Sequence, residues 1–161
     1  VIAGAIGSSP GGGGNLLRYD HRTGQSSIIT VWPEDQYGSP LKDVKYRFHF
    51  TYPVALSPHA PEALYVAANK VFKSTDLGNS WEAISPDLTS QASAKMQLIS
   101  GGPITSGGMS SQYCSVIYAL TESPHEPGVL WVGTDDSYIH LSRDAGETWQ
   151  DVSPDSLPQS A

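Results

Sequence analysis

The sequence predicts an all-β fold made of repeated, four-stranded antiparallel sheets, and three observations support this prediction. Short segments rich in Val, Ile, Tyr and Trp alternate with Gly, Pro, Asn and Asp clusters, a spacing that favours strands joined by turns. No convincing amphipathic helix pattern is visible. The third and strongest observation is an internal repeat, which specifies how the strands are grouped.

Two stretches of the chain, 66 to 68 residues apart, match each other in order. The matches are Ser-Pro-His-x-Pro at 57–61 and 123–127, Leu-aromatic-Val at 64–66 and 130–132, Ser-x-Asp-x-Gly-x-Ser/Thr-Trp at 74–81 and 142–149, and Ser-Pro-Asp at 85–87 and 153–155. The spacing grows by two residues between Val132 and Ser142, as a longer loop would require. Ordered matches of this kind are hard to obtain by chance, so both stretches are expected to fold alike.

Each repeat is expected to form four short strands. They are predicted at 52–56, 63–67, 70–75 and 81–84 in the first repeat, and at 114–121, 129–133, 138–142 and 149–152 in the second. The N-terminal stretch is predicted to supply the second, third and fourth strands of a preceding sheet, at 1–6, 15–19 and 26–32. The Gly-rich segment 7–14 lacks the Lys-Ser/Thr pair and following helix of a phosphate-binding loop, so it is predicted to be a flexible inter-strand loop.

The eight-residue motif has the composition of a tight turn. Its Asp can accept hydrogen bonds from backbone N–H groups two or three residues on, and its Gly supplies a positive φ. Its Trp is expected to cover the hairpin with its ring. A catalytic carboxylate is usually unique, whereas a structural turn can be repeated, so the motif is predicted to be structural. The residues concerned are Ser74, Asp76, Gly78, Trp81, Ser142, Asp144, Gly146 and Trp149.

This motif resembles the Asp-box, or bacterial neuraminidase repeat (BNR), found in sialidases, xyloglucan-degrading enzymes, sortilin and a photosystem II assembly factor. Residues 52–89 resemble the sortilin-like N-terminal propeller of large bacterial proteins that are often labelled glycosyl hydrolases. The resemblance implies a β-propeller in which each Asp-box joins the third and fourth strands of a blade, on the face opposite the ligand site. It also implies a secreted or periplasmic location.

A closed propeller has about four to eight blades of roughly 40 to 50 residues each, so the chain is expected to be an incomplete arc. It would comprise an incomplete blade at 1–32, Asp-box blades at 44–87 and 113–155, and inter-blade loops at 33–43 and 88–112. The turn at 20–25 has no Trp directly after it and is interpreted as a degenerate copy.

Candidate ligand-binding residues on the loop-bearing face are few. Arg47 and His49 alternate along an extended segment that leads to Tyr52, so they share one side of it and could contact an anionic or hydroxylated ligand. The alternative is that both face acidic residues of neighbouring loops. Asp135 and Asp136 occupy the longer loop of the second repeat. Adjacent carboxylates point apart, which favours a solvated turn over the opposed acid and base of a glycosidase.

Composition excludes several classes of function. A net charge of −7 without a Lys/Arg cluster argues against nucleic-acid binding. No apolar run of about 18 residues suggests a membrane helix, and no signal peptide is visible. The scattered His residues do not have zinc-site spacing, and no cofactor is predicted. Cys114 stands alone, so an intrachain disulfide is impossible, and we expect a buried, inert thiol.

The main functional hypothesis is a binding or scaffolding module without a complete catalytic site, with a glycan or a protein as ligand and the remaining blades of the parent protein as partners. The four Arg residues do not supply the three-arginine set implied by sialidase resemblance. The alternative is part of a sialidase- or xyloglucanase-like glycosyl hydrolase whose catalytic residues lie mostly outside this segment. A third hypothesis is a propeller that assists assembly of a membrane complex.

Overall fold

The computed structural model describes residues 2–4, 15–33, 43–49, 51–90 and 115–157. Within these ranges the protein is all-β, which confirms the predicted fold class, and no helical segment has the length and apolar character to cross a bilayer. The expectations for the Gly-rich segment 7–14 and for Cys114 concern residues outside these ranges.

Three antiparallel sheets follow one another along the chain, each with its strands in sequence order. The first sheet contains β1 (Ile2–Gly4), β2 (Leu16–Asp20) and β3 (Gln25–Ile28). The second contains β4 (Val54–Leu56), β5 (Leu64–Ala67), β6 (Val71–Ser74) and β7 (Glu82–Ala83). The third contains β8 (Ile117–Glu122), β9 (Leu130–Thr134), β10 (Ile139–Ser142) and β11 (Gln150–Asp151). This up-and-down order within successive sheets is that of consecutive propeller blades.

The outermost strands are shorter than predicted. The spans 81–84 and 149–152 were expected to be strands, but β7 and β11 have only two residues each. Both spans begin with a Trp whose ring is directed toward the neighbouring sheet and not along the strand. Both are also followed by Ser-Pro, and Pro cannot donate to a strand ladder.

The eight-residue motifs form two nearly identical turns, which we call the first repeat turn (residues 74–81) and the second repeat turn (142–149). In the first, the Ser74 hydroxyl accepts a hydrogen bond from the Gly78 amide at 2.8 Å and donates to Asp76 Oδ1 at 2.8 Å. The Asp76 carboxylate in turn accepts from the amide and the hydroxyl of Ser80, at 2.9 and 2.7 Å. Thr148 replaces Ser80 in the second turn, where the same bonds recur.

The Trp of each repeat turn binds to the preceding sheet. The Trp81 indole N–H donates to the Ile29 carbonyl at 3.0 Å, just after β3, and the Trp149 indole N–H donates to the Ile84 carbonyl at 2.9 Å, just after β7. Trp149 also donates to Gly146 O in its own turn, at 3.1 Å. The expectation that each Trp serves its own hairpin is therefore incomplete, because the turn joins neighbouring sheets.

The Gly of each repeat turn lies against the isoleucine whose carbonyl accepts the indole hydrogen bond of that turn. Gly78 has φ +88°, and a Cβ there would come within 2.8 Å of Ile29; Gly146 has φ +100°, and its Cβ would come within 2.7 Å of Ile84. Both positions therefore require Gly for two reasons, the left-handed backbone conformation and the close approach of the sheets.

The hydrophobic core is divided between the two sheet interfaces because side chains alternate along each strand. Leu64 and Val66 of β5 face the first sheet, whereas Ala67 faces the third. The core between the first and second sheets is completed by Leu16, Ile29, Phe48, Tyr52, Ala68 and Phe72. The core between the second and third sheets is completed by Val71, Leu88, Ile117 and Val132.

Candidate functional site

Arg47 lies in a buried polar network that joins three separate segments. Its side chain is 5% exposed, and its Nη2 contacts Asp87 Oδ2 at 2.7 Å. The same nitrogen donates to the Thr89 hydroxyl at 3.0 Å, and Nε donates to the Ser115 carbonyl at 3.1 Å. Of the two alternatives left by the sequence, this geometry places Arg47 against a loop acid. A ligand contact by Arg47 remains a prediction.

Asp87 is the central acceptor of this network. Besides Arg47, it accepts hydrogen bonds from the Asn69 amide at 2.8 Å and from the Thr89 hydroxyl at 2.7 Å. Burial acts to raise the pKa of the Asp87 carboxyl, but the hydrogen bond from Thr89 and the charge of Arg47 outweigh it, so the pKa lies below its usual value. The corresponding residue of the second repeat, Asp155, is exposed.

Sequence reasoning did not single out Asp87 or Asn69 as partners of Arg47. The available signal was that Ser-Pro-Asp follows both motifs. The sequence could not show that Asp87 meets a cation 40 residues earlier.

His49 and Tyr52 are both buried. The His49 Nδ1 accepts a hydrogen bond from the Thr51 amide at 3.0 Å, and its ring contacts Tyr118 edge-on, with centroids 4.7 Å apart. Burial lowers the pKa of His49, which favours the neutral imidazole. Burial raises the pKa of Tyr52 to about 12, and its ring packs edge-on against Phe48. Ligand contacts by these two residues also remain predictions.

Asp135 and Asp136 point to different segments, as expected for neighbours on one turn. Asp135 accepts hydrogen bonds from the Ser115 and Val116 amides, at 3.1 and 2.8 Å. Asp136 accepts from the Ser90 amide at 2.6 Å and from the Thr134 hydroxyl. Asp136 is only 2% exposed, so the expectation of a solvated turn is wrong for this residue. Its carboxylate is buried because it binds the segment that follows the second sheet.

The buried network therefore organises the loop-bearing ends of the second and third sheets. Each candidate carboxylate there accepts hydrogen bonds from protein amides or hydroxyls. Among the residues that the structure describes, no group of three or more His, Cys, Asp or Glu side chains could hold a metal ion.

Each sheet interface has more than one cavity among the described residues, and one cavity at each interface is lined by the last residue of a blade's first strand, Leu56 or Glu122. The cavity between the first and second sheets has a volume of about 570 Å³ and is lined by Arg18, Tyr19, Leu56 and Asp76 among others. The cavity between the second and third sheets has a volume of about 390 Å³ and is lined by Tyr65, Lys73, Glu122 and Gly128 among others. None of the five ligand-binding candidates predicted from the sequence lines either cavity.

Comparison with known proteins supports the propeller assignment. The chain is similar to a GH74 xyloglucanase from Xanthomonas campestris, with a TM-score of 0.52 and 22% identity, over 96% of this chain and 20% of that enzyme. It is also similar to a GH74 enzyme from Niastella koreensis, with a TM-score of 0.53 and 17% identity, over 91% of this chain and 19% of that enzyme.

No protein-family model and no curated protein matches the chain. The chain spans about a fifth of the length of the two solved enzymes described above. A likeness at this level of identity concerns the fold alone. The three sheets are a partial β-propeller.

Proposed function

We propose that the chain forms consecutive blades of a glycoside-hydrolase-like propeller, and that the catalytic residues of the parent protein lie mostly outside these blades. The observation that carries this proposal is the likeness to a GH74 xyloglucanase along 96% of the chain. The absence of an unengaged acid pair among the described candidates fits a segment that contributes scaffold and loops more than catalytic carboxylates.

The two repeat turns are interpreted as Asp-boxes with an architectural role. Their Ser and Asp side chains are engaged in the turn itself, and their Gly and Trp residues contact the preceding sheet. The resemblance of residues 52–89 to sortilin-like propellers involves the same turn, so it favours a propeller without selecting between an enzyme and a receptor-like module.

The Arg47 network is proposed to position the loop-bearing face. Arg47 ties the segment before β4 to the segments after β7 and before β8. Loops held on a rigid scaffold are where propellers and other folds place their binding groups. In this proposal Arg47, His49, Tyr52, Asp135 and Asp136 act by fixing loop positions, and a direct contact with ligand is a further prediction for each.

A binding module without turnover is the second candidate. It is favoured by the observation that each described candidate carboxylate accepts hydrogen bonds from the protein itself. The assay that separates the two is release of reducing sugar from xyloglucan by the full-length protein, with binding to immobilised xyloglucan measured in parallel. Hydrolysis supports the enzyme proposal. Retention without release of reducing ends favours the binding module, and the absence of both would contradict the enzyme proposal and a binding module for xyloglucan.

The same assay tests the positioning role of Arg47 when Arg47→Lys is compared with Glu147→Gln, a change at an exposed acid of the second repeat turn. If Arg47 positions loops, Arg47→Lys should change the KM for xyloglucan by more than the loss of stability accounts for. The melting temperature of the variant measures that loss of stability. Glu147→Gln should leave both unchanged. Equal kinetics for the two variants would count against the positioning role.

A further inference from the structure

A buried carboxylate with one unpaired oxygen lies in the cavity between the second and third sheets. Glu122, at the end of β8, is 6% exposed. Its Oε1 accepts a hydrogen bond from the Gly128 amide at 2.8 Å and a long one from the Tyr65 hydroxyl at 3.5 Å. Its Oε2 is buried and has no hydrogen-bond partner among the described residues. An unpaired buried acceptor is costly, so this oxygen requires a donor.

The carboxylate is specific to this cavity. The corresponding residue of the first repeat is Leu56, which lines the cavity between the first and second sheets and is 60% exposed. The blade therefore does not need an acid at this position in order to fold. A residue that departs from the repeat at a cavity is a stronger candidate for ligand binding than one that recurs in both copies.

The cavity also supplies a donor. Lys73, on the wall formed by the second sheet, has its ammonium 5.8 Å from the centroid of the Tyr65 ring. Burial, followed by the negative charge of Glu122, raises the pKa of Tyr65 to about 12, so its hydroxyl keeps its proton and can donate to the carboxylate. One wall thus carries a free acceptor and the other a cationic donor.

This pairing suits hydroxyl groups, because a hydroxyl both donates and accepts hydrogen bonds. An ammonium ligand is less well matched, since Lys73 already supplies a positive charge. The volume of about 390 Å³ lies within the range of about 300–1,000 Å³ typical of small-molecule sites.

We infer that the cavity between the second and third sheets binds a hydroxylated ligand, one sugar residue of a glycan, with the Glu122 carboxylate turning so that Oε2, closed to solvent in this structure, accepts from one hydroxyl while Lys73 donates to another. The choice of a sugar among hydroxylated ligands rests on the proposed function. The competing arrangement is an internal ion pair, in which the Lys73 side chain turns toward Glu122 and satisfies Oε2 itself.

The test is saturation-transfer difference NMR of methyl β-glucopyranoside with the full-length protein and three variants. Glu122→Gln keeps an oxygen for the Gly128 amide but replaces the free acceptor by a donor. Glu122→Leu introduces the residue found at position 56. Glu126→Gln is the matched control, because this exposed acid lies in the same turn but does not line the cavity.

We expect saturation transfer with the wild type and with Glu126→Gln, and binding about tenfold weaker or more in both Glu122 variants, the effect of losing a hydrogen bond to a charged group. Melting temperatures measured on the same samples identify a variant that has failed to fold. The two Glu122 variants also distinguish this cavity from any other sugar site of the full-length protein.

Two results would overturn the inference. One is saturation transfer that is absent from the wild type or undiminished in both folded Glu122 variants. The other is a double-mutant cycle in which the effects of Lys73→Met and Glu122→Gln on the free energy of unfolding are coupled while the wild type does not bind the sugar. That result would assign Oε2 to the internal ion pair. Xyloglucan hydrolysis is scored separately. If it fails while sugar binding at Glu122 holds, the proposed function is lost and the site remains; the reverse result removes only the site.

Discussion

The two sheet interfaces of this protein share one contact and differ in what surrounds it. At both, the Gly and Trp of a repeat turn pack against and bond to the isoleucine that ends the preceding sheet, Ile29 or Ile84. The first interface also contains a group of aromatic rings, with Phe72 against Phe48 and Tyr46. The second is filled by smaller aliphatic residues and is flanked by the Arg47–Asp87 ion pair. The constant contact sets the geometry, and the rest of each interface is free to diverge.

The sharpest way to separate the two interfaces is to remove a cation from each. Arg47→Met leaves Asp87 buried without its cation, and breaking a buried ion pair in this way costs about 3–5 kcal/mol. Arg18→Met at the first interface removes only a partly buried bond to Leu77 O and an exposed one to Asn79, so we expect a loss of about 1 kcal/mol. Urea denaturation followed by Trp fluorescence measures both changes. Equal losses would mean that the interfaces do not differ as described.

The shared contact is tested by truncating each Trp. Both rings are half-buried, so Trp81→Ala and Trp149→Ala should each cost about 3 kcal/mol through lost packing. Trp→Phe keeps most of the ring but leaves the carbonyl of Ile29 or Ile84 without its donor, at a cost of about 1–2 kcal/mol. Melting temperatures of the four variants are the measurement. Unchanged melting for either Ala variant would remove that turn from its interface.

Replacing a glycine by alanine adds one carbon atom and tests how closely the sheets approach each other. In Gly146→Ala the new Cβ meets the Ile84 side chain at 2.7 Å and its carbonyl oxygen at 3.0 Å, so we expect a loss of about 2–3 kcal/mol. In Gly78→Ala the three nearest atoms to the new Cβ all belong to the Ile29 side chain, so the loss should be somewhat smaller. Gly24→Ala in the first sheet is the control, because its φ is +73° but no atom lies within 4 Å of the new Cβ. Its loss should be about 1 kcal/mol. Equal losses at the three positions would deny that the close approach matters.

The smallest expected effect concerns pH. Hydrogen bonds from Ser80 and then Ser74 hold the pKa of Asp76 at about 2, below its ordinary value of 3.8, and the hydroxyl and amide of Thr148 likewise lower the pKa of Asp144. A depressed folded-state pKa contributes stability above the ordinary value, and that stability is lost as the pH falls toward about 2.

We therefore expect the melting temperature of the wild type to fall over this interval, and Asp76→Asn and Asp144→Asn to fall less steeply. Glu147→Gln controls for the loss of one negative charge. If all three variants kept the wild-type slope, the turn carboxylates would not be its source.

The sequence predicted the fold well where the structural signal is local. Spacing and turn chemistry predicted the strands around Leu64 and Leu130, because the alternation of apolar and polar residues and the Ser-Pro turns are local features of the sequence. It could not predict which sheet the indole of Trp149 would reach, since Ile84 lies 65 residues earlier. The same limit applies to Arg47 and Asp87, whose pairing depends on how separate segments meet at one end of the sheets.

Glu122 shows a different limit. Its place beside strand residues is visible in the sequence, and comparison with Leu56 could have marked it as a departure from the repeat. Its burial, however, depends on Tyr65 of the neighbouring sheet, whose hydroxyl donates to the carboxylate. This contact cannot be read from a single strand.

The direction of the indole bonds has a consequence for how such a chain is built. In both repeats the donor lies in the later sheet and the acceptor carbonyl in the earlier one. A ribosome makes the chain from its N-terminus, so each acceptor exists before its donor emerges, and each new sheet can dock on one that is already complete. A duplicated repeat would likewise carry an acceptor at its end and a donor in its turn, and so could join a copy of itself without any new residue.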